Sequence, residues 1–157
     1  MRRPSFVFRV DASVDIGTGH VIRCLNLAEG IVEKGGVCRF ICRAFPGNLI
    51  QLIRDRGYEV DVLPLPVMNE YSDLPKSSYS FNSACIGWDW IADSNQSKAL
   101  ISGLCADWMI IDHYAIDARW EIAMRSCYKR LLVIDDLADR PHDCNFLVDQ
   151  NYSPDPY

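Results

Sequence analysis

A chain of 157 residues predicts one domain at roughly 150 residues per domain. With 49% apolar and 24% charged residues it can bury a core without disulfides or a structural metal. Sixteen basic against 21 acidic residues leave a net charge of −5, which excludes a basic nucleic-acid-binding module. The charge is uneven: residues 1–60 carry nine basic and six acidic residues, and 61–157 carry seven and 15, so an anionic ligand is expected in the first third. No apolar run reaches the ~18 residues of a membrane span. Met1–Phe6 is basic but has no apolar signal-peptide core, so a cytoplasmic chain is expected. The seven cysteines are odd in number, form no CxxC and mostly sit inside apolar patterns, as buried thiols do.

Short apolar runs alternate with helical patterns, which predicts an α/β protein: a Rossmann-like parallel sheet with helices on both faces. The first strand is expected over 6–11. A helix follows over 20–34, with Val21, Cys24, Leu25, Ala28, Ile31 and Val32 on one face, stopped by Gly35-Gly36. A second strand covers 37–43, a short helix opens at Pro46-Gly47-Asn48 and ends at Gly57, and a third strand runs over 58–63. Residues 64–89 hold three prolines and five serines without periodicity and read as a long lid or insertion. A helix over 91–105, capped by Asp89 or Asp93, precedes a fourth strand over 108–112. Asp117 caps a helix with Trp120, Ala123, Met124 and Cys127 on its apolar face. Strands follow over 130–135 and 145–149, and the tail from 151 reads as a linker.

Three segments could carry chemistry. The first is Asp11-Ala12-Ser13-Val14-Asp15-Ile16-Gly17-Thr18-Gly19-His20, between the first strand and its helix. Gly17 and Gly19 allow a sharp turn and close approach to a ligand, and the helix N-terminus behind them attracts anions. The third glycine of a dinucleotide fingerprint is missing, and so is the Gly-Lys-Ser/Thr of a Walker loop. His20 at the helix start is either a general base kept neutral by the helix dipole or a polar residue facing water. The second segment, Asp112-His113-Tyr114, ends the fourth strand. In a sheet ordered 3-2-1-4-5, strands 1 and 4 are neighbours whose connections diverge, and ligands bind at that switch point. These residues either orient a base and bond a sugar there, or cap the strand. The third segment, Asp135 to Asp143, reads as a solvated, arginine-balanced loop, since adjacent carboxylates at a strand end point apart. The three histidines lack metal-ligand spacing.

With these segments in their order the chain resembles the UDP-2,4-diacetamido-2,4,6-trideoxy-β-L-altropyranose hydrolase family of pseudaminic acid biosynthesis, and related spore-coat polysaccharide biosynthesis proteins. The matching stretches are Phe8-Arg9-Val10-Asp11-Ala12-Ser13 through Gly17-Thr18-Gly19-His20 with Arg23, Leu25, Leu27 and Ala28; then Ile110-Ile111-Asp112-His113-Tyr114; then Ile134 through Cys144; then Leu147-Val148-Asp149-Gln150-Asn151. The resemblance implies the N-terminal half of a two-domain GT-B fold, with residues 1–150 as the domain and 151–157 as the start of the linker. The second, nucleotide-gripping domain would be the partner outside these residues.

It further implies hydrolysis of the glycosidic C–O bond of a UDP-linked sugar with release of UDP, without metal or cofactor. Water activated by His20 would attack the anomeric carbon, and Tyr114 would line the same pocket. The expected substrate-binding set is Asp11, Ser13, Gly17, Thr18, Gly19, Asp112, His113 and Tyr114. Two rival readings share these residues: a GT-B glycosyltransferase domain in which an acceptor replaces water, and a non-catalytic remnant that binds a sugar or a partner protein.

Overall fold

The computed structural model describes residues 2–65 and 89–151. Strand β1 (Ser5–Val10) leads through helix α1 (Gly19–Glu33) to β2 (Val37–Arg43), and helix α2 (Ile50–Asp55) leads to β3 (Glu59–Leu63). From residue 89 onward come α3 (Trp90–Leu100), β4 (Ala106–Asp112), α4 (Ala118–Ala123), β5 (Tyr128–Ile134) and β6 (Phe146–Val148). Every strand pair is parallel, in the order β3-β2-β1-β4-β5-β6. The expected α/β sheet and its switch between β1 and β4 are therefore present. The long loop expected over 64–89 lies, from 66 to 88, outside the described residues. Among the described residues no helix is long and apolar enough to cross a membrane.

The two-residue period of the strands divides the core. Odd-numbered Val7, Ile41, Met109, Ile111, Leu131 and Val133 pack with Ile116, Trp120 and Met124 on the side of α3 and α4. Even-numbered Phe8, Val10, Phe40, Cys42, Ile110 and Ile134 pack with Val21, Cys24, Leu25, Ala28, Ile50 and Ile53 on the side of α1 and α2. Burial on both faces explains why these strands read as nearly unbroken apolar runs. Cys24, Cys38, Cys42 and Cys127 are buried among them as free thiols.

Element ends follow local chemistry. Gly35, at φ +87°, ends α1: its N–H donates to the Val32 carbonyl, and the Gly36 N–H donates to Ile31. This is a Schellman cap, as the glycine pair predicts. Asp89 caps α3, its carboxylate accepting the N–H groups of Ile91 and Ala92 at 2.8 and 3.2 Å. Helix α3 stops five residues before its expected end, because a turn through Gly103 at φ +80° starts β4 early. Helix α4 closes at Ala123 and a 3₁₀ turn, Arg125–Cys127, carries Cys127 to the core.

Asp93 is not a cap. It sits in the core under the carboxyl ends of β1 and β2, where Arg9 reaches it at 2.7 Å and Arg43 at 2.6 Å. The Trp120 indole N–H donates to it at 2.8 Å and the Ser97 hydroxyl at 3.3 Å. Arg9 also pairs with Asp11 at 2.8 Å, and the Arg43 backbone N–H donates to Asp11 at 2.6 Å. Burial alone would raise the Asp93 pKa, but the two guanidinium groups outweigh it and hold the group below the usual carboxylate range. Asp93→Ala leaves both guanidinium groups without their shared acceptor. It is expected to destabilise the fold by about 3–5 kcal/mol, read as a lower urea midpoint. An unchanged midpoint would show that the network contributes nothing to stability.

Candidate active site

Val10 at the end of β1 lies beside Asp112 at the end of β4, and their connections leave in opposite directions. The 11–18 loop is shaped from within. The Ser13 hydroxyl accepts the N–H groups of Asp15 and Ile16 at 3.1 and 2.9 Å, and the Ser13 carbonyl accepts the Gly17 N–H at 2.9 Å. Gly17, at φ +82°, is the residue there whose backbone requires glycine. Gly19 instead begins α1, where a Cβ would meet nothing within 4 Å. Thr18 is the N-cap, but its side chain makes no capping hydrogen bond.

The loop ends at a cleft of about 250 Å³ lined by Ile16, Gly19, His20, Arg23, Tyr114, Asp136 and Gln150. The His20 side chain is only 7% exposed. The Tyr114 ring meets it edge-on, with centroids 4.3 Å apart at 82°. Its Nε2 lies 3.8 Å from an Asp112 oxygen, beyond hydrogen-bond range. Asp112 is engaged by Arg23, whose Nε and Nη2 each donate at 2.7 Å, and it accepts from the Cys24 thiol at 3.7 Å. Burial is the main cause that lowers the His20 pKa. Asp112 opposes it, and His113 and Arg23 add to it, so His20 is neutral at pH 7. Burial, then the Asp136 carboxylate, raises the Tyr114 pKa and keeps the phenol protonated.

The expected set thus separates into cleft and frame. His20, Gly19 and Tyr114 line the cleft, and Asp112 stands directly behind them. Ser13, Gly17 and Thr18 build the loop. Asp11 and His113 face the other side of the sheet. The Ala115 N–H donates to His113 Nδ1 at 3.1 Å, so Nε2 carries the proton and donates to Asp11 at 3.0 Å. That bridge fixes the bend that brings Tyr114 to His20. Arg23, Asp136 and Gln150 were not in the expected set. Arg23 falls one helical turn after His20, on the same face of α1. Asp136 and Gln150 come from the ends of β5 and β6, and the Gln150 amide donates to Asp136 at 3.3 Å. Compared with known proteins, the chain matches no family model and no curated sequence. Among the described residues no three histidine, cysteine or acidic side chains group to hold a metal ion.

The 135–143 loop is exposed at 137–139 and at Pro141, as expected, but its charged cluster is not solvated. Arginine balances it, but at a buried site: Arg140 pairs with Asp135 at 2.8 Å and donates to the carbonyls of Ile116 and His113 at 2.8 and 3.2 Å. His142 bridges α4 and β5, with Nδ1 at 2.6 Å from Glu121 and Nε2 at 3.6 Å from Asp135. The loop folds back because α4 presents the buried Glu121 carboxylate to it, which also accepts the Asp143 N–H at 2.5 Å. Burial opposes the charge on His142, but the nearby Asp135 carboxylate and the hydrogen bond to the Glu121 carboxylate outweigh it and push its pKa up to about 9. A raised histidine stabilises fully below its unfolded value of 6.5 and loses that contribution as pH rises through about 9. The melting temperature is expected to fall between those limits, and His142→Gln to flatten that slope. An equal slope in the variant would remove His142 as its cause.

Proposed function

We propose that this chain is the N-terminal, sugar-side domain of a UDP-sugar hydrolase acting in nonulosonic acid or surface-polysaccharide synthesis. The observation that carries the reading is His20: a neutral, nearly buried imidazole with no hydrogen bond on its ring nitrogens among the described residues, opening onto a cleft at the β1/β4 switch point. A general base must be neutral and unoccupied when water arrives. The cleft volume of about 250 Å³ is of monosaccharide scale. The resemblance over the segments from Phe8 to Asn151 names the substrate class, a UDP-linked 2,4-diacetamido-2,4,6-trideoxyhexose.

In this mechanism a water in the cleft gives its proton to His20 as its oxygen attacks the anomeric carbon. The bond from that carbon to the UDP oxygen breaks, and its electron pair leaves with UDP. The imidazolium that forms has Asp112 at 3.8 Å. Tyr114 holds the plane of the imidazole and offers its phenol O–H to the sugar.

The test is product analysis on the full-length enzyme. Free sugar and UDP support a hydrolase, whereas a glycoconjugate made from an added acceptor supports a transferase. His20→Ala should lower kcat by ~10²–10⁴ with the melting temperature unchanged. Tyr114→Phe should lose less, since it deletes one hydrogen bond and keeps the ring packed on His20. An active His20→Ala enzyme would remove the base assignment.

A further inference from the structure

Asp136 of the acidic run after β5 and the Asp149-Gln150-Asn151 run after β6 remain without a role, and they meet at one wall of the His20 cleft. There Asp136 Oδ2 accepts the Gln150 amide at 3.3 Å, and the Asp136 carbonyl accepts the Asn151 amide at 3.4 Å. Its other carboxylate oxygen, Oδ1, is buried with no hydrogen-bond partner among the described residues. Arg43 Nε, Asp135 Oδ1 and His142 Nε2 share that property within the buried ionic networks, and Asp136 is the residue among them that lines the cleft. The charges single out the same residue. Arg23 and Asp136 are the two charged side chains lining the cleft, and Asp112 neutralises Arg23 through a two-pronged pair. Asp136 makes no ion pair among the described residues, so its carboxylate is the uncompensated charge of the cleft.

We propose that Asp136 is a second catalytic side chain of this cleft, whose carboxylate stabilises the positive charge that builds on the anomeric carbon as its bond to UDP breaks. The inference rests on the hydrolase reading above. Glycosyl transfer to water passes through a transition state of oxocarbenium character, which a nearby fixed carboxylate favours over the neutral ground state. His20 takes the proton of water, the bond to the UDP oxygen breaks with its electron pair, and Asp136 neither gains nor loses a proton. The amide of Gln150 holds the carboxylate in place, so little reorganisation is needed when the charge appears.

The test compares steady-state hydrolysis of the UDP-sugar by the full-length wild type, Asp136→Asn and Asp136→Ala. Asp136→Asn should lower kcat by roughly 10²–10³-fold, with KM within a few-fold and the melting temperature kept. Sodium formate, a small exogenous carboxylate, should restore part of the rate of Asp136→Ala but leave Asp136→Asn unchanged. If Asp136→Asn fails to fold, formate rescue of Asp136→Ala decides alone. A kcat within threefold of wild type, a loss confined to KM, or a folded Asp136→Ala indifferent to formate overturns the assignment and leaves the hydrolase reading intact. A wild type that releases no UDP overturns both.

Discussion

The carboxyl end of the sheet depends on a charge buried in its core, the Arg9 guanidinium held between Asp11 and Asp93. Arg9 stands in β1 where an aliphatic residue would ordinarily pack, and it carries no exposed surface. Both partners reach Arg43 of β2, and each secures further elements. Asp93 brings in α3, the end of β2 through Arg43, and α4 through the Trp120 indole. Asp11 anchors the backbone of Arg43 and the ring of His113. One buried cation thus ties together two helices and three strands at the edge from which the functional loops leave. Such a network is costly to break, because a lost partner leaves buried charge under-compensated and away from water.

Strand parity then distributes the work. Asp112 and His113 are adjacent in sequence but face opposite sides of the sheet. Asp112 points toward α1 and meets Arg23, Cys24 and His20, whereas His113 points toward the Arg9 network and meets Asp11. Tyr114 follows, its position set from below by His113 and from the side by Arg140 on the preceding carbonyl. The cleft is a thin layer on a rigid ionic base, and the Glu121–His142–Asp135 bridge adds a brace from the β5 side.

The fold was legible in the sequence because strands buried on both faces read as apolar runs and α1 carries a clear helical face. Its stop was legible because Gly35-Gly36 is a chemical signal. His20, Tyr114 and their crevice were legible from the switch-point rule, which needs topology alone. What sequence patterns missed was pairing across space. Asp11 and His113 look like ligand contacts in a motif, and become framework once Arg9 is seen beneath them. Asp136 and Gln150 lie 14 residues apart on different strands, and nothing in their spacing shows that they share a wall. Dense charge reads as solvation over 135–143, and 137–139 and Pro141 are exposed, but opposite charges also suit the buried Asp135–Arg140–His142 cluster that Glu121 on α4 draws in.

The neutrality of His20 is itself a product of compensation. A carboxylate 3.8 Å from Nε2 would, if unpaired, favour the imidazolium strongly. Two unit charges ~4 Å apart interact by roughly 4 kcal/mol at an effective dielectric of 20. An attraction of that kind raises a histidine's pKa and works against its use as a base. Arg23 prevents this by closing on both oxygens of Asp112 at 2.7 Å, and its own positive charge lies near His20 as well. Burial can then dominate and the imidazole remains neutral. Asp112 therefore orders the α1 face without holding His20 in its charged form, as the proposed base role requires. Under the proposed hydrolase reading, Arg23 helps keep His20 available as a base although the two share no hydrogen bond.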